Sequence, residues 1–469
     1  MNNAPTLILQ MQRMGDLIMT FPLMGYLQAR EPNRPLWVVA EPHFFQELLK
    51  IAPKAVFFPP EAVDQLRTLT YHQIINLSHR PDAAILSASL SCQQRIGAYT
   101  QQNIRYINGF WQLYRSSIVH NNRHNLFHWA DLNLLDCLET PSELIRMHHP
   151  LPSAPGYGCV GLFTGASETH KRPSPQLLGE IAKGLQRKGL KPLFLGGPED
   201  KLLGAAAQNA SGIAGSNLCG RFGLEELVAL MHTLDLCICA DTGPMHLAVW
   251  TGTPTLNLSM GPVNAWETGP TSPGHYVLRA KASCAGCWQC RHPQALCHQA
   301  FQASRIVLTA HTLIHAPQHL QRLDYSALEL CKTDRDARGL YRLTSITGDR
   351  LTPRYALSRF WQEWFLVHSG SRLGSEVEQV GQTLATLYPR LFRHMQQQII
   401  LLSKHINTHL RHKQLVLPEN FWQSSPPLLR PLSGYLQMSL QNEEYTTFAW
   451  DNALNALASC ATTMKHVSR

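Results

Sequence analysis

The sequence predicts an α/β protein with two Rossmann-like domains that face a cleft, followed by a helical region. Short apolar runs alternate with helix-like segments from the N-terminus, the alternation restarts after a Pro- and Gly-rich stretch, and strand signals fade after about residue 300. Such alternation is typical of βαβ units and a parallel sheet. The predicted parts are 1–150, 158–300 and a helical extension, 301–469.

In the first domain, the pattern predicts a strand and then a long helix, before further strands and shorter helices. The predicted strands are 6–12, 36–40, 55–59 and 72–78, and the predicted helices are 16–30, 44–52 and 128–139. Proline and glycine in 147–158 indicate a linker.

The second domain repeats this alternation. Its predicted strands are 159–166, 191–197, 235–240 and 254–261, and its predicted helices are 174–189, 200–210 and 224–234. Gly189 follows the first of these helices, where a glycine commonly ends a helix.

In the extension, apolar residues recur every three or four positions and predict a helical seam with a break near Pro389. The seam consists of Val377, Val380, Leu384, Leu387, Leu391, Met395, Ile399 and Leu402. Such a seam usually packs within its own chain, and oligomerisation through the extension is the alternative. The acidic segment 333–336 is predicted to be a solvated turn.

Composition limits the partners. The chain has 469 residues and a formal net charge of +9, which favours anionic partners such as nucleotides, phosphorylated lipids or a membrane surface. No run of Lys and Arg interleaved with aromatic residues suggests a nucleic-acid partner. Without a secretory signal or an apolar stretch near the roughly 20 residues of a membrane span, the protein is predicted to be cytoplasmic.

The segment "ADTGPMHLAVWTGTP" follows the apolar run "LDLCICA" and places polar residues at a strand-to-helix turn. Unpaired N–H groups at such a turn form an anion site. Asp241, Thr242, Gly243 and His246 are therefore predicted to bind a ligand, because a bare helix start needs neither the acid nor the imidazole.

Two further turns carry polar side chains. In "RMGDLIMTFP", Gly15 gives a tight turn and Asp16 begins a helix, where it is either a helix cap or a general base. In "FTGASETHKRPSP", Ser167 and Lys171 offer a hydroxyl and a point charge suited to a phosphate. A solvated loop is the alternative for the second turn.

Together the three turns predict a displacement at a carbon that bears a diphosphate. An acceptor hydroxyl attacks, Asp16 takes its proton, and Lys171 with the turn at Asp241 stabilises the departing nucleotide diphosphate. This chemistry requires no divalent metal. Glu226, at the start of a helix, either reaches a ribose hydroxyl or serves its own helix dipole.

These residues resemble the family 9 glycosyltransferases, the ADP-heptose–lipopolysaccharide heptosyltransferases. "MGDLIMTFPLMGYLQ" is similar to the turn that holds the family's catalytic Asp, here Asp16, and "GASETHKRPSP" to its phosphate loop, with Ser167 and Lys171. The segment around "CADTGPMHLAV" resembles the family's most specific stretch. The resemblance covers about residues 5–300, and Pro173 stands where the family usually has Trp.

The resemblance implies a GT-B fold and an inverting, metal-independent transfer of a sugar, heptose from ADP-heptose, to a lipopolysaccharide core or another glycan or lipid-linked acceptor. It also implies a cytoplasmic enzyme, with peripheral contact to the inner membrane left open. Two alternatives are a sugar-nucleotide epimerase of the same architecture and a non-catalytic, nucleotide-binding scaffold whose helical tail docks a partner.

Four of the 12 cysteines form a cluster in "CAGCWQCRHPQALC". Cys284, Cys287, Cys290 and Cys297 make two overlapping C-x-x-C units and a fourth thiol, a pattern that suggests thiolate metal ligation. Structural zinc is the first candidate, and iron or an iron–sulfur cluster is the second. An inert loop or a redox pair is the alternative.

Overall fold

The computed structural model describes residues 4–138, 156–166, 168–284, 286–287, 289–290, 292, 295–346, 348, 351–370 and 376–467. The predicted linker at 147–158 therefore lies almost wholly outside the described residues. Within these ranges, none of the helices combines the length and the apolar character that a membrane crossing requires.

The first domain is built on one sheet with helices around it. Its strands are β1 (Thr6–Leu9), β2 (Leu36–Val39), β3 (Val56–Phe58), β4 (Thr70–Asn76), β5 (Ser91–Gln101) and β6 (Ile104–Asn108). Its helices are α1 (Met14–Ile18), α2 (Phe21–Arg30), α3 (Pro42–Leu48), α4 (Val63–Leu66), α5 (Pro81–Ser89), α6 (Phe110–Ser117) and α7 (Trp129–Leu135). The strand order is β3-β2-β1-β4-β5-β6, parallel except for β6, so the order reverses between β1 and β4.

The second domain repeats this plan. Its strands are β7 (Cys159–Phe163), β8 (Lys191–Leu195), β9 (Leu236–Cys239), β10 (Thr255–Ser259), β11 (Tyr276–Ala280), β12 (Leu328–Arg335) and β13 (Tyr341–Ser345). Its helices are α8 (Pro175–Arg187), α9 (Lys201–Ser211), α10 (Leu224–Met231), α11 (Gly243–Trp250), α12 (Ala265–Thr268), α13 (Leu296–Gln299) and α14 (Ala303–His315). The strand order is β13-β12-β11-β10-β9-β7-β8, so the order reverses between β7 and β9.

The structure differs from the prediction of a purely helical region after residue 300. Strands β12 and β13 form an antiparallel hairpin, and β12 pairs antiparallel with β11. The acidic segment 333–336, predicted as a turn, mostly lies at the end of β12, where Thr333 is buried. Hydrogen bonds to the neighbouring strands β11 and β13 stabilise β12, including this charged segment. The residues of the segment alone give no sign of those partners.

The predicted helix at 16–30 is two helices, α1 and α2. Pro22 has no N–H to donate and occupies the first turn of α2, which favours a break before it. At the break, the Thr20 hydroxyl donates to the backbone oxygen of Asp16 at 2.9 Å. The short helix α1 thus ends where the chain turns towards α2.

The extension is a set of helices packed on the first domain. They are α15 (Pro353–His368), α16 (Val377–Leu387), α17 (Pro389–Arg411), α18 (Glu419–Gln423), α19 (Arg430–Asn442) and α20 (Thr447–Val467). The predicted break at Pro389 is confirmed, and α16 and α17 both pack against α20. Most of the seam is buried, whereas Leu387, beside the break, is 51% exposed.

The extension and the first domain share one core. Phe365 of α15 packs against Tyr114 of α6 with ring centroids 4.6 Å apart. The side chain of Asn442 accepts from Ile107 N at 2.6 Å and donates to Ile107 O at 3.0 Å. Because Ile107 lies in the edge strand β6, Asn442 occupies two backbone groups of an edge that would otherwise be open to pairing with another chain.

Asp131 of α7 joins the first domain to the β12–β13 hairpin. Its buried carboxylate accepts from Arg335 Nη1 at 2.5 Å and from Tyr341 N at 2.7 Å. Replacing Asp131 with Ala leaves a largely buried guanidinium without its carboxylate. We expect the free energy of unfolding to fall by about 3–5 kcal/mol in urea titrations. Asp451→Ala, on the exposed side of α20, is the control, and an equal loss in both would contradict this account.

Candidate active site

The three predicted turns all lie at the switch points of the two sheets. Asp16 follows β1, Lys171 follows β7, and Asp241 follows β9. Ligands of doubly wound sheets bind beyond the carboxyl ends of the strands at such points. Here both switch points open onto one interdomain cleft of about 840 Å³, lined by Asp16, Lys171 and Asp241.

Two glycines permit the domains to meet closely at this cleft. A Cβ atom on Gly15 would lie 3.0 Å from Cδ2 of His246, and one on Gly243 would lie 2.6 Å from Cε of Met14. The first turns of α1 and α11 therefore pack directly against each other. This contact brings the predicted base of the first domain beside the predicted anion turn of the second domain.

Asp16 has a raised pKa because burial disfavours its ionised form, while Arg115, Arg13 and Lys171 oppose the shift. Arg115 is itself buried, which lowers its pKa to about 10 and leaves it cationic at neutral pH. Its guanidinium donates to Asn133 Oδ1 at 2.8 Å. The site thus holds a carboxyl group whose basicity is raised by burial, as suits a general base, and the charge of Arg115 limits that rise.

Asp241 and His246 form a buried polar pair. The Thr268 hydroxyl donates to Asp241 Oδ2 at 2.5 Å, and burial raises the pKa of Asp241 to about 6. Burial lowers the pKa of His246 to about 3, so its imidazole is neutral at neutral pH. His246 Nδ1 is buried and has no hydrogen-bond partner among the described residues, whereas Nε2 lies 3.9 Å from Asp241 Oδ1.

The phosphate loop is held near this pair by the chain that follows β10. Lys171 ends a 3-10 turn and forms an ion pair with Glu168 Oε1 at 3.0 Å. Gly261 has a φ of +76°, and a Cβ atom there would lie 2.0 Å from the backbone oxygen of His170. Ser167 lies outside the described residues, so its predicted phosphate contact stays a prediction.

Thr242 and Gly243 stand where the sequence predicts them, at the beginning of α11. The Thr242 side chain makes no capping hydrogen bond to this helix. First-turn N–H groups that lack a side-chain cap are suited to an anion, and the helix dipole favours negative charge there. Both residues line the cleft.

Glu226 is placed differently from the other predicted residues. Its carboxylate is exposed and accepts from Gly223 N at 3.0 Å, which caps the start of α10. It is not among the residues that line the cleft. Its proposed contact with a ribose stays a prediction. The neighbouring Glu225 instead bridges the domains, because it forms an ion pair with Lys50 of the first domain.

Sequence reasoning missed Glu267, which lies at the base of the cleft. Its oxygens accept from Asn122 Nδ2 at 2.7 Å and from Asn125 Nδ2 at 3.0 Å, across the domain boundary. Burial raises its pKa to about 8. No spacing signal links positions more than 140 residues apart, so only the folded chain reveals this group, and the same holds for Arg115.

A larger cavity, of about 1180 Å³, lies between the second domain and the extension. Its lining includes Trp266, Arg279 and Arg354, and it contains none of the three predicted turns. We therefore assign the candidate site by chemistry rather than by size.

The fold and the cleft define a class of two-domain α/β proteins in which ligands bind between the switch points of two sheets. A model of glycosyltransferase family 9 (heptosyltransferase) matches residues 62–297, half of the chain. The chain belongs to this family and is a glycosyltransferase. The match includes Lys171 and His246 but begins after Asp16. It favours the transferase over the epimerase and scaffold alternatives.

Solved structures show the same fold. The glycosyl transferase family 9 protein of Veillonella parvula DSM 2008 matches with a TM-score of 0.50 and 17% identity, over 66% of this chain and 97% of that one. The ADP-heptose lps heptosyltransferase II of E. coli matches with a TM-score of 0.51 and 18% identity, over 67% and 99%. No curated protein matches the chain in sequence.

Glu267 predicts a pH dependence of stability. Its pKa of about 8 in the folded protein exceeds the ordinary value of 4.5, so the folded state retains a proton that the unfolded state releases. The contribution of Glu267 to stability is therefore lost as the pH rises from about 4.5 to 8, by up to about 5 kcal/mol. Glu267→Gln should remove this dependence, so its Tm should exceed that of the wild type by more at pH 8 than at pH 6.5.

In that window Asp241, with a pKa of about 6, is largely ionised and contributes little to the change. Glu180→Gln, on the exposed face of α8, should follow the wild type at both pH values. Parallel Tm curves for wild type and Glu267→Gln would show that Glu267 is ionised in the folded protein.

Proposed function

We propose that the protein is an inverting, metal-independent glycosyltransferase that moves heptose from ADP-heptose to a hydroxyl of a glycan or lipid-linked acceptor, such as a lipopolysaccharide core. One observation carries this proposal: a carboxyl group from one domain meets an anion turn and a lysine from the other at the switch points of both sheets. The structural likeness to an ADP-heptose lps heptosyltransferase supports the choice of donor.

In the proposed reaction, the acceptor oxygen attacks the anomeric carbon of the sugar. Asp16 accepts the hydroxyl proton while the bond between the anomeric carbon and the diphosphate oxygen breaks. Negative charge grows on the departing diphosphate, where Lys171 and the first turn of α11 stabilise it. Neutral His246, which lines the cleft, can hydrogen-bond the same group without adding charge.

Inversion follows from the placement of the base and the cradle. Asp16 belongs to the first domain, and the groups that hold the diphosphate belong to the second domain. An acceptor bound against the first domain therefore approaches from the face opposite the leaving group. A single displacement of this kind inverts the configuration at carbon.

The donor base is tested by isothermal titration with ADP, UDP, GDP and CDP. Selective binding of ADP is expected. Preference for another base would keep the fold and overturn the heptose assignment. Binding of none of the four would contradict the proposed function as a whole.

Asp16 and Lys171 should separate catalysis from binding. Asp16→Ala should retain ADP affinity and lose transfer by a factor of about 10²–10⁴, because a general base contributes that much. Lys171→Ala should weaken both, since it removes the charge that faces the diphosphate. The measurements are ADP titration and the rate of sugar transfer under saturating donor.

Asp64→Asn, a fully exposed carboxylate on α4, is the matched control and should change neither quantity. Equal loss of ADP binding in Asp16→Ala and Lys171→Ala would show that Asp16 serves only the helix.

We also propose that the cysteine cluster binds one structural metal ion, zinc or iron. The four thiols are free and line one cavity of about 360 Å³, and Cys297 Sγ accepts from Gly261 N at 3.3 Å. Their number and type suit a tetrathiolate site. Among the described residues, however, no group of three or more His, Cys, Asp or Glu side chains is already arranged to hold a metal ion. Metal binding therefore requires the thiol side chains to rotate towards one another.

Metal should remain with the protein through dialysis and be lost in Cys284→Ser. Elemental analysis gives the metal content per chain, and thiol titration gives the number of free thiols. Cys159→Ser, a half-buried cysteine outside the cluster, should keep the metal. A metal-free wild type with four titratable thiols in the cluster would exclude the site.

We propose that the protein acts in the cytoplasm, because nucleotide-linked sugars serve as sugar donors in that compartment.

A further inference from the structure

The charge of the chain is concentrated in one part of the extension. Residues 379–418 contain no Asp or Glu, although they hold five Lys or Arg and four His. This stretch supplies five of the nine net positive charges of the whole protein. It contains the helix α17 and lies outside the region that the family model matches.

Helix geometry collects these cations on one side of α17. Arg393, Lys404 and Arg411 are 11 and 7 residues apart, close to three and two full turns, so they lie in one line along the helix. All three are exposed. The opposite side of α17 is buried in the bundle, through Phe392, Met395, Ile399, Leu402 and Ile406. The basic line therefore faces outward; we call it, with His394, His405 and His412 beside it, the basic strip.

Large aliphatic side chains lie within the same outward face. Ile400 and Leu401 are 52% and 43% exposed among the cations. Leu415 and Val416, just after the helix, are 51% and 64% exposed. Aliphatic residues interspersed with Lys and Arg are typical of helices that lie on anionic lipid surfaces.

In the part of the chain that the structure describes, no carboxylate neutralises the positive charge of the strip. Among the described residues, Arg393, Lys404 and Arg411 form no ion pair with a carboxylate. The acids that flank this stretch are engaged elsewhere, because Glu378 faces His466 at 3.7 Å and Glu419 accepts from Gln437 at 2.8 Å. An external anionic surface is therefore the natural counter-charge.

We infer that the basic strip binds the surface of a membrane that contains anionic phospholipids. A nucleic acid would satisfy the cations but would leave the exposed aliphatic side chains without a partner. A second copy docked through the same face would bring two basic strips together, and like charges would repel. Anionic lipid headgroups match the cations of the strip, and acyl chains match its exposed aliphatic side chains.

The test uses the full chain and vesicles of phosphatidylcholine, with or without phosphatidylglycerol, in a sedimentation assay. The triple variant Arg393→Glu, Lys404→Glu, Arg411→Glu should lose about a hundredfold or more in partition onto anionic vesicles. The matched control is Lys183→Glu, Arg187→Glu, Lys188→Glu, at the C-terminal end of α8 and the residue after it, which makes the same change of net charge at exposed positions and should retain most of the binding.

The double variant Ile400→Ser, Leu401→Ser tests the exposed aliphatic side chains. It should weaken partition onto anionic vesicles about tenfold without changing net charge. Wild-type partition should also fall as salt is added. These two measurements test the inference even if the charge-reversal variant does not fold. ADP titration of every variant should match the wild type, so a defect in the donor site is distinguished from a defect at the membrane.

Equal losses in the α17 and α8 variants would overturn the inference, as would wild-type protein that ignores anionic vesicles. Binding of a duplex RNA probe that depends on the strip, without binding to vesicles, would assign the strip to nucleic acid. A change of molar mass in the α17 variants, again without vesicle binding, would assign it to an interface between copies.

Discussion

The site depends on one topological constraint: in each sheet the strand order reverses, and both reversals open onto the same cleft. In a parallel sheet, the carboxyl ends of all the strands lie at the same edge. The connections that leave two neighbouring strands form a crevice at this edge only where they lead in opposite directions. β1 and β4 flank this point in the first sheet, and β7 and β9 flank it in the second. Gly15 and Gly243 then let the two crevices close onto each other.

Burial in the closed cleft changes the pKa of its carboxyl groups, and it costs free energy because charged groups lose hydration. It raises the pKa of Asp16, Asp241 and Glu267, because each ionised carboxylate loses hydration. The cleft tolerates three acidic groups because they are in different states. Glu267, bound by two asparagines, is mostly protonated at neutral pH, whereas Asp16 lies near the cation of Arg115. The diphosphate of the proposed donor would therefore meet less negative charge than the residue types alone suggest.

The extension links the two domains rather than forming a separate unit. Its aromatic helix α15 enters the core of the first domain, and Asn442 covers the edge strand β6. The hairpin β12–β13, which precedes it, continues the second sheet and reaches α7 through Asp131. These contacts constrain how far the domains can move apart, and they leave the outer side of α17 exposed.

The sequence by itself determined the alternation of strands and helices, the turns at Asp16, Lys171 and Asp241, and the break at Pro389, because these depend on local hydrophobic period, capping and the missing N–H of proline. Only the tertiary structure decided that a charged segment becomes strand β12, that Glu267 joins the cleft, and that the charge of Arg115 acts on Asp16. Those outcomes depend on partners distant in the chain, and burial and pairing energies cannot be seen in any short window of sequence.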